Sequence, residues 1–103
     1  MPSALDNLRV LDFSRVLAGP FATMLLADLG ATVTKVERPG IGDDTRSWGP
    51  PYDDAGEATY FASVNRNKDS VVLDLGDAAG LARARAMALE ADVLVENFRP
   101  GVM

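Results

Sequence analysis

The run from Leu8 to Pro39, LRVLDFSRVLAGPFATMLLADLGATVTKVERP, constrains the fold more than any other part of the chain. Leu8 to Phe13 reads as a strand, and Gly19-Pro20 then opens a helix, with Pro20 at the first helical position where its missing N–H is not needed. Phe21, Leu25 and Leu29 recur at i, i+4 and i+8 and define an apolar stripe of the kind that faces a core, and Gly30 supplies a left-handed stop. A second strand follows over Ala31 to Glu37. Two strands joined by one short helix predict a right-handed parallel βαβ unit.

Ligands of open α/β sheets bind beyond the carboxyl ends of the strands. Arg15 follows the first strand and Arg38 the second, so both stand where an anionic ligand would be met. Arg99 follows the last strand, which brings three of the eight arginines to the same edge. An arginine fork matches phosphate oxygens bidentately, and Pro39 and Pro100 stiffen the neighbouring backbone. The competing reading is that these are solvated loop arginines.

From Pro39 to Glu57 the composition shifts to Gly, Pro, Asp and Ser, which predicts a long surface loop carrying the lone Trp48. Trp48 either closes over a bound ligand or anchors the loop locally. A short helix is expected over Ala58 to Val64, then a polar turn at Asn65-Arg66-Asn67-Lys68 and a strand over Ser70 to Leu75. A helix from Asp77 to Glu90, with Asp77 as N-cap, and a strand from Asp92 to Glu96 complete the pattern. The expected fold is therefore α/β, a Rossmann-like parallel sheet of βαβ units. A last parallel strand ending in the loop Asn97 to Met103 leaves a sheet face without its covering helix. Residues 1–103 are accordingly expected to be a fragment of a larger protein, genuine at Met1 and truncated at Met103. No repeat or low-complexity segment interrupts it.

Composition narrows the function. Ten Lys and Arg against fifteen Asp and Glu, a net charge of −5, argue against a general nucleic-acid binder. With no Cys and no His, this stretch offers no disulfide, no thiolate nucleophile, no imidazole base and none of the usual zinc ligands. The start carries Asp6, Arg9 and Asp12 and no apolar run of signal-peptide length, and nowhere do ~18 apolar residues follow one another. A cytoplasmic location without membrane or nucleic-acid partners is the expectation.

Three site readings compete with the arginines. Glu37 stands where a ribose-binding acid would, but the first turn reads SRVLAGP and lacks the glycines that let a pyrophosphate approach. Asp12 and Asp74 supply half of a phosphoacceptor pattern, yet Asp12 is followed by Phe13, Ser14 and Arg15 rather than by the acidic partner a metal needs. Asp43, Asp44, Asp53 and Asp54 read as solvated loop acids, so no metal site is expected.

LDFSRVLAGPFATMLLADLGATVTKVERPGIGDDTRSWGPP, ATYFASVNRNKDSVVLDL and ADVLVENFRPGVM together resemble the amino-terminal part of class III coenzyme A transferases, the CaiB/BaiF family. The resemblance implies a Rossmann-like large domain plus a small domain, an interlocked homodimer, and CoA or acyl-CoA bound at the strand ends as substrate, with a carboxylic acid as partner and no permanently bound cofactor. It also implies roles for particular residues. Val16 and Leu17 would lie along the pantetheine and thioester end, near Arg15, and Arg38 would meet a CoA phosphate. Leu73, Asp74, Leu75 and Gly76 would flank the adenosine part, with Asn97, Phe98 and Arg99 beside the same groove.

Two departures from the family pattern matter. Leu17 replaces the Gln of oxalate-using formyl-CoA transferases, which predicts poor use of oxalate and better use of acids with an aliphatic body. Gly76 replaces a Lys that some members place after the third strand. By the resemblance the catalytic residue is an aspartate beyond Met103, forming first an anhydride and then a CoA thioester, with backbone N–H groups near Val16 and Leu17 as oxyanion donors. The alternatives are an α-methylacyl-CoA racemase of the same superfamily and a non-catalytic nucleotide-binding module.

Overall fold

The computed structural model describes residues 3–102. Its elements run β1 (Arg9–Asp12), α1 (Ala18–Asp28), β2 (Thr32–Glu37), a 3₁₀ turn (Asp44–Ser47), α2 (Thr59–Asn65), β3 (Lys68–Val72), α3 (Ala78–Glu90) and β4 (Val93–Val95). All four strands are parallel, in the order β3-β2-β1-β4, with Asp12 beside Lys35 and Val95, and Lys35 beside Ser70. The chain therefore steps outward from β1 to β3 and returns across the sheet to β4. The strand order reverses between β1 and β4, and that is where open α/β sheets leave a crevice.

Side-chain alternation sends successive residues to opposite faces. Val10 and Val33 pack with Ala27 and Ala31 under α1, while Leu11, Phe13 and Val36 pack with Ala84 under α3. Two glycines permit close approach. A Cβ on Gly19 would stand 2.3 Å from Ser14 Cβ, and one on Gly80 would stand 2.0 Å from the Asp74 carbonyl oxygen. The first turns of α1 and α3 thus lie directly against the loops that leave β1 and β3.

Several expectations shift. The helix α1 begins at Ala18, two residues before Pro20, which still falls within the first turn where no N–H is required. Its buried face is Pro20, Thr23, Met24 and Ala27, not the Phe21-Leu25-Leu29 stripe, whose members are 46%, 44% and 52% exposed. The smaller residues bring the helix close enough for Thr23 to reach Asp12, and the larger ones turn outward. Strand β3 starts at Lys68 rather than Ser70, because Lys68 pairs in register with Val33 and its ammonium is buried among oxygen atoms. Leu73 to Gly76 consequently form a loop after the strand. Asp77 occupies the N-cap of α3 but its side chain makes no capping bond; Asp74 organises the turn instead, accepting from the Gly76 N–H at 2.9 Å. No helix among the described residues is long and apolar enough to cross a membrane.

Candidate functional site

A groove of about 190 Å³ opens at the carboxyl ends of the strands, lined by Phe13, Arg15, Val36, Glu37, Arg38, Leu73, Asp74, Leu75, Gly76 and Phe98. The loops after all four strands meet there. Across the switch point the β1 and β4 loops clasp each other: the Arg15 N–H donates to Asn97 Oδ1 at 3.0 Å and Asn97 Nδ2 donates to the Arg15 carbonyl at 2.8 Å. The Arg15 guanidinium lies 5.0 Å from the centre of the Phe98 ring, a cation–π contact that turns the cation toward the groove wall. Arg38 reaches the groove from the β2 side, tethered through Nε to the Gly42 carbonyl at 2.9 Å and through Nη2 to Asp44.

The structure thus gathers Arg15, Arg38, Leu73, Asp74, Leu75, Gly76 and Phe98 around one groove, with Asn97 bracing its edge. Val16 and Leu17 are not in that lining; they follow Arg15 at the entry to α1, and Arg99 is exposed on the β4 loop. Trp48 lies apart from the groove lining, its ring edge-on to Tyr60 with centroids 5.3 Å apart. That contact ties its loop to α2.

The other site readings dissolve into internal contacts. Glu37 is gripped by Arg46 at 2.7 Å through both carboxylate oxygens, and also by Ser70 and the Asp43 N–H. Burial alone would raise its pKa, but these donors outweigh it and hold the carboxyl at about 2. It has no oxygen to spare for a ribose. Asp43 is not a solvated loop acid: it is 1% exposed, with Lys35 Nζ 2.9 Å from Oδ2 and the Thr45 N–H 3.0 Å from Oδ1. Burial pushes its carboxyl up, and Thr45 and Lys35 together bring it below the ordinary value. No three acids group as metal ligands among the described residues.

Sequence reasoning missed the ionic layer under α1 and α2. Asp12 accepts from Thr23 Oγ1 at 2.6 Å and from the Ser14 N–H at 2.8 Å, and Lys68 Nζ lies 3.2 Å from Asp12 Oδ2. Lys68 also donates to the Pro20 carbonyl and to Asn65 Oδ1. Burial lowers its pKa to about 8 against the pull of Asp12. A signal was present: Val33, Lys35 and Glu37 share one face of a strand that a parallel sheet buries on both sides, so the two charges needed partners. One expected donor is also already engaged, since the Val16 N–H is shared between the Asp43 oxygens at 3.3 and 3.4 Å. Among the described residues the Leu17 N–H has no acceptor.

A family profile for CoA-transferase family III matches residues 5–103. The chain belongs to this family. It is 59% identical over 97 residues to a mouse protein named succinyl-CoA:glutarate CoA-transferase, covering 94% of this chain and 22% of that protein. It is 53% identical to an acetyl-CoA:oxalate CoA-transferase of Acetobacter aceti, over 95% of this chain and 25% of that one. The crystal structure of a CaiB/BaiF family protein from Brucella suis superposes with a TM-score of 0.93 at 46% identity, over 98% of this chain and 27% of the other. The chain thus spans about a quarter of the length of these family III proteins.

Proposed function

We propose that this chain supplies the CoA-binding part of a CoA-transferase that moves coenzyme A from an acyl-CoA to a carboxylic acid. The observation that carries the reading is the convergence of Arg15 and Arg38 on one groove at the strand ends. Two permanent cations at a sheet edge suit the phosphates of CoA, and the apolar wall of Leu73, Leu75 and Phe98 suits the body of an adenosine. The relatives named as CoA-transferases favour transfer over racemisation and over a non-catalytic module.

In this reading the nucleophile is an aspartate on chain following Met103, and the complete enzyme is an interlocked dimer. The carboxylate attacks the thioester carbonyl, expelling CoA thiolate and leaving a mixed anhydride. The thiolate then attacks the aspartyl carbonyl, releasing the donor acid and giving an enzyme-bound CoA thioester. The acceptor carboxylate repeats the two steps in reverse and leaves as acyl-CoA, restoring the aspartate. Each addition builds an oxyanion, for which the Leu17 N–H is an available donor. The Leu17 side chain, half exposed at the entry to α1, offers no partner to a second carboxylate close to the reacting one, so the acceptor is an acid with an aliphatic body, such as a longer dicarboxylate, in preference to oxalate.

Arg38 provides the test. Removing a charge-assisted bond to phosphate costs about 1.5–3 kcal/mol. Titration calorimetry of the complete enzyme is expected to show Arg38→Ala binding CoA more weakly by that amount, and 3′-dephospho-CoA in parallel identifies the phosphate concerned. Unchanged CoA affinity would return Arg38 to its tether on Asp44 and Gly42 and remove the main support for the reading.

A further inference from the structure

Val16 has φ of +74°, and among the described residues it is the only β-branched residue in the left-handed region, the other non-glycine residues there being Asn7 and Asn67. Asparagine enters that region readily; a side chain branched at Cβ does so only when its surroundings hold it there. Those surroundings are specific. Asp43 accepts the Val16 N–H with both oxygens, and Lys35, 2.9 Å from Asp43 Oδ2, donates at 3.0 Å to the Ser14 carbonyl. The two partners of one ion pair therefore pin the turn at residues 14 and 16. Thr45 locks the carboxylate in turn, donating to Oδ1 through its N–H at 3.0 Å and its hydroxyl at 2.9 Å.

We infer that Asp43, held by Lys35 and Thr45, is a positioning residue that keeps Val16 left-handed and thereby aims the Leu17 N–H at the reacting carbonyl. The inference rests on the function proposed above. The peptide plane after Val16 contains the Leu17 N–H, so the Val16 torsions set where that donor points. If Val16 relaxed to negative φ, the plane would swing and the donor with it. A buried ion pair is a weak source of stability by itself compared with apolar packing. Here both members spend a hydrogen bond on the same strained turn, which gives the pair a geometric task.

The test compares Asp43→Asn, Val16→Gly and the double variant in the complete enzyme, with folding checked by circular dichroism. The amide turns an NH₂ toward Lys35 and breaks the clamp. A misaimed group can cost on the order of 10²-fold in rate, so kcat is expected to fall by roughly that factor while the calorimetric Kd for CoA stays within about twofold. Glycine adopts positive φ without being held, so Val16→Gly in the Asp43→Asn background is expected to recover roughly tenfold of kcat. A purely structural role for Asp43 predicts no such rescue. Should Asp43→Asn not fold, Thr45→Val loosens the same carboxylate without leaving a charge unpaired, and a kcat loss of about threefold with Kd unchanged is expected. An active wild type whose folded variant keeps full kcat, or loses it without rescue by glycine, overturns the positioning role alone. A wild type that transfers no CoA between any acyl-CoA and carboxylic acid overturns the proposed function, and this inference with it.

Discussion

Under α1 and α2 the sheet buries Asp12, Lys35 and Glu37 alongside Val10 and Val33, whereas under α3 it buries Leu11, Phe13 and Val36 against Ala84 and other apolar neighbours. The charges on the first face are graded along the strands. Val10 and Val33 lie toward the beginnings, and Asp12, Lys35 and Glu37 lie toward the carboxyl ends. At those ends the chain leaves regular structure and backbone groups need partners that no ladder supplies. The ionic residues provide them: Lys35 takes the Ser14 carbonyl, Asp43 the Val16 N–H and Glu37 the Asp43 N–H, while Lys68 reaches the Pro20 carbonyl in the first turn of α1. The apolar face supplies groove walls, through Phe13 and Val36 with Leu73, Leu75 and Phe98 packed against them, and the ionic face fixes the loops after β1 and β2.

From this difference, the first face should fail abruptly when one charge is removed. Lys68→Met would leave the buried Asp12 carboxylate with only hydroxyl and N–H donors, would leave Asn65 Oδ1 without its lysine partner, and would leave the Pro20 carbonyl to Thr23. Removing one partner of a buried pair costs about 3–5 kcal/mol. Urea unfolding of the purified protein is expected to show a loss in that range. A loss below about 1 kcal/mol would mean that the pair is replaceable filling and that the two faces are alike in kind.

Acid should probe the same face without mutation. Glu37 titrates at about 2 in the folded chain against an ordinary value of 4.5, so as the pH falls the unfolded chain takes up the proton first. The contribution is complete above 4.5 and is gone once the pH has dropped through about 2. At 1.36 kcal/mol per pKa unit it amounts to about 3 kcal/mol. Unfolding measured at about pH 6 and about pH 3 should show wild type losing much of this stability, and Glu37→Gln, already lacking it, losing correspondingly less. Parallel acid sensitivity in the two proteins would show that Arg46 and Ser70 do not hold the ionised form.

How much of this was legible in the sequence follows the same division. The strand-helix order, the parallel sheet and the meeting of Arg15, Arg38, Phe98 and Leu73 to Gly76 at one edge follow from local pattern plus one topological rule, because strand ends in a parallel sheet share an edge wherever their registers fall. What was hidden depends on partners distant in sequence. Asp43 looks like any loop acid until Lys35 is found beneath it, and Lys68 looks like a turn residue until Asp12 and Pro20 surround it. The outward turn of Phe21, Leu25 and Leu29 was hidden for the same reason. Periodicity identified an apolar stripe, but the bond from Thr23 to Asp12 belongs to the helix face that became buried.

The apolar face should tolerate a change of shape. Leu11 is 2% exposed in the middle of β1, packed with Phe13, Val36 and Ala84. Met conserves its volume, has no polar atom that must find a partner, and bends to fit the space Leu leaves. Such swaps cost less than about 1.5 kcal/mol, so Leu11→Met should unfold in urea at nearly the wild-type midpoint and, on the function proposed, bind CoA as wild type does. The second readout carries the comparison, because Leu11 is as buried as Asp12 and next to it in the chain, yet points away from every loop that the ionic layer fixes. A Leu11→Met protein of normal stability that nevertheless bound CoA poorly would show that the walls built on the apolar face need packing as exact as the ionic layer gives the loops.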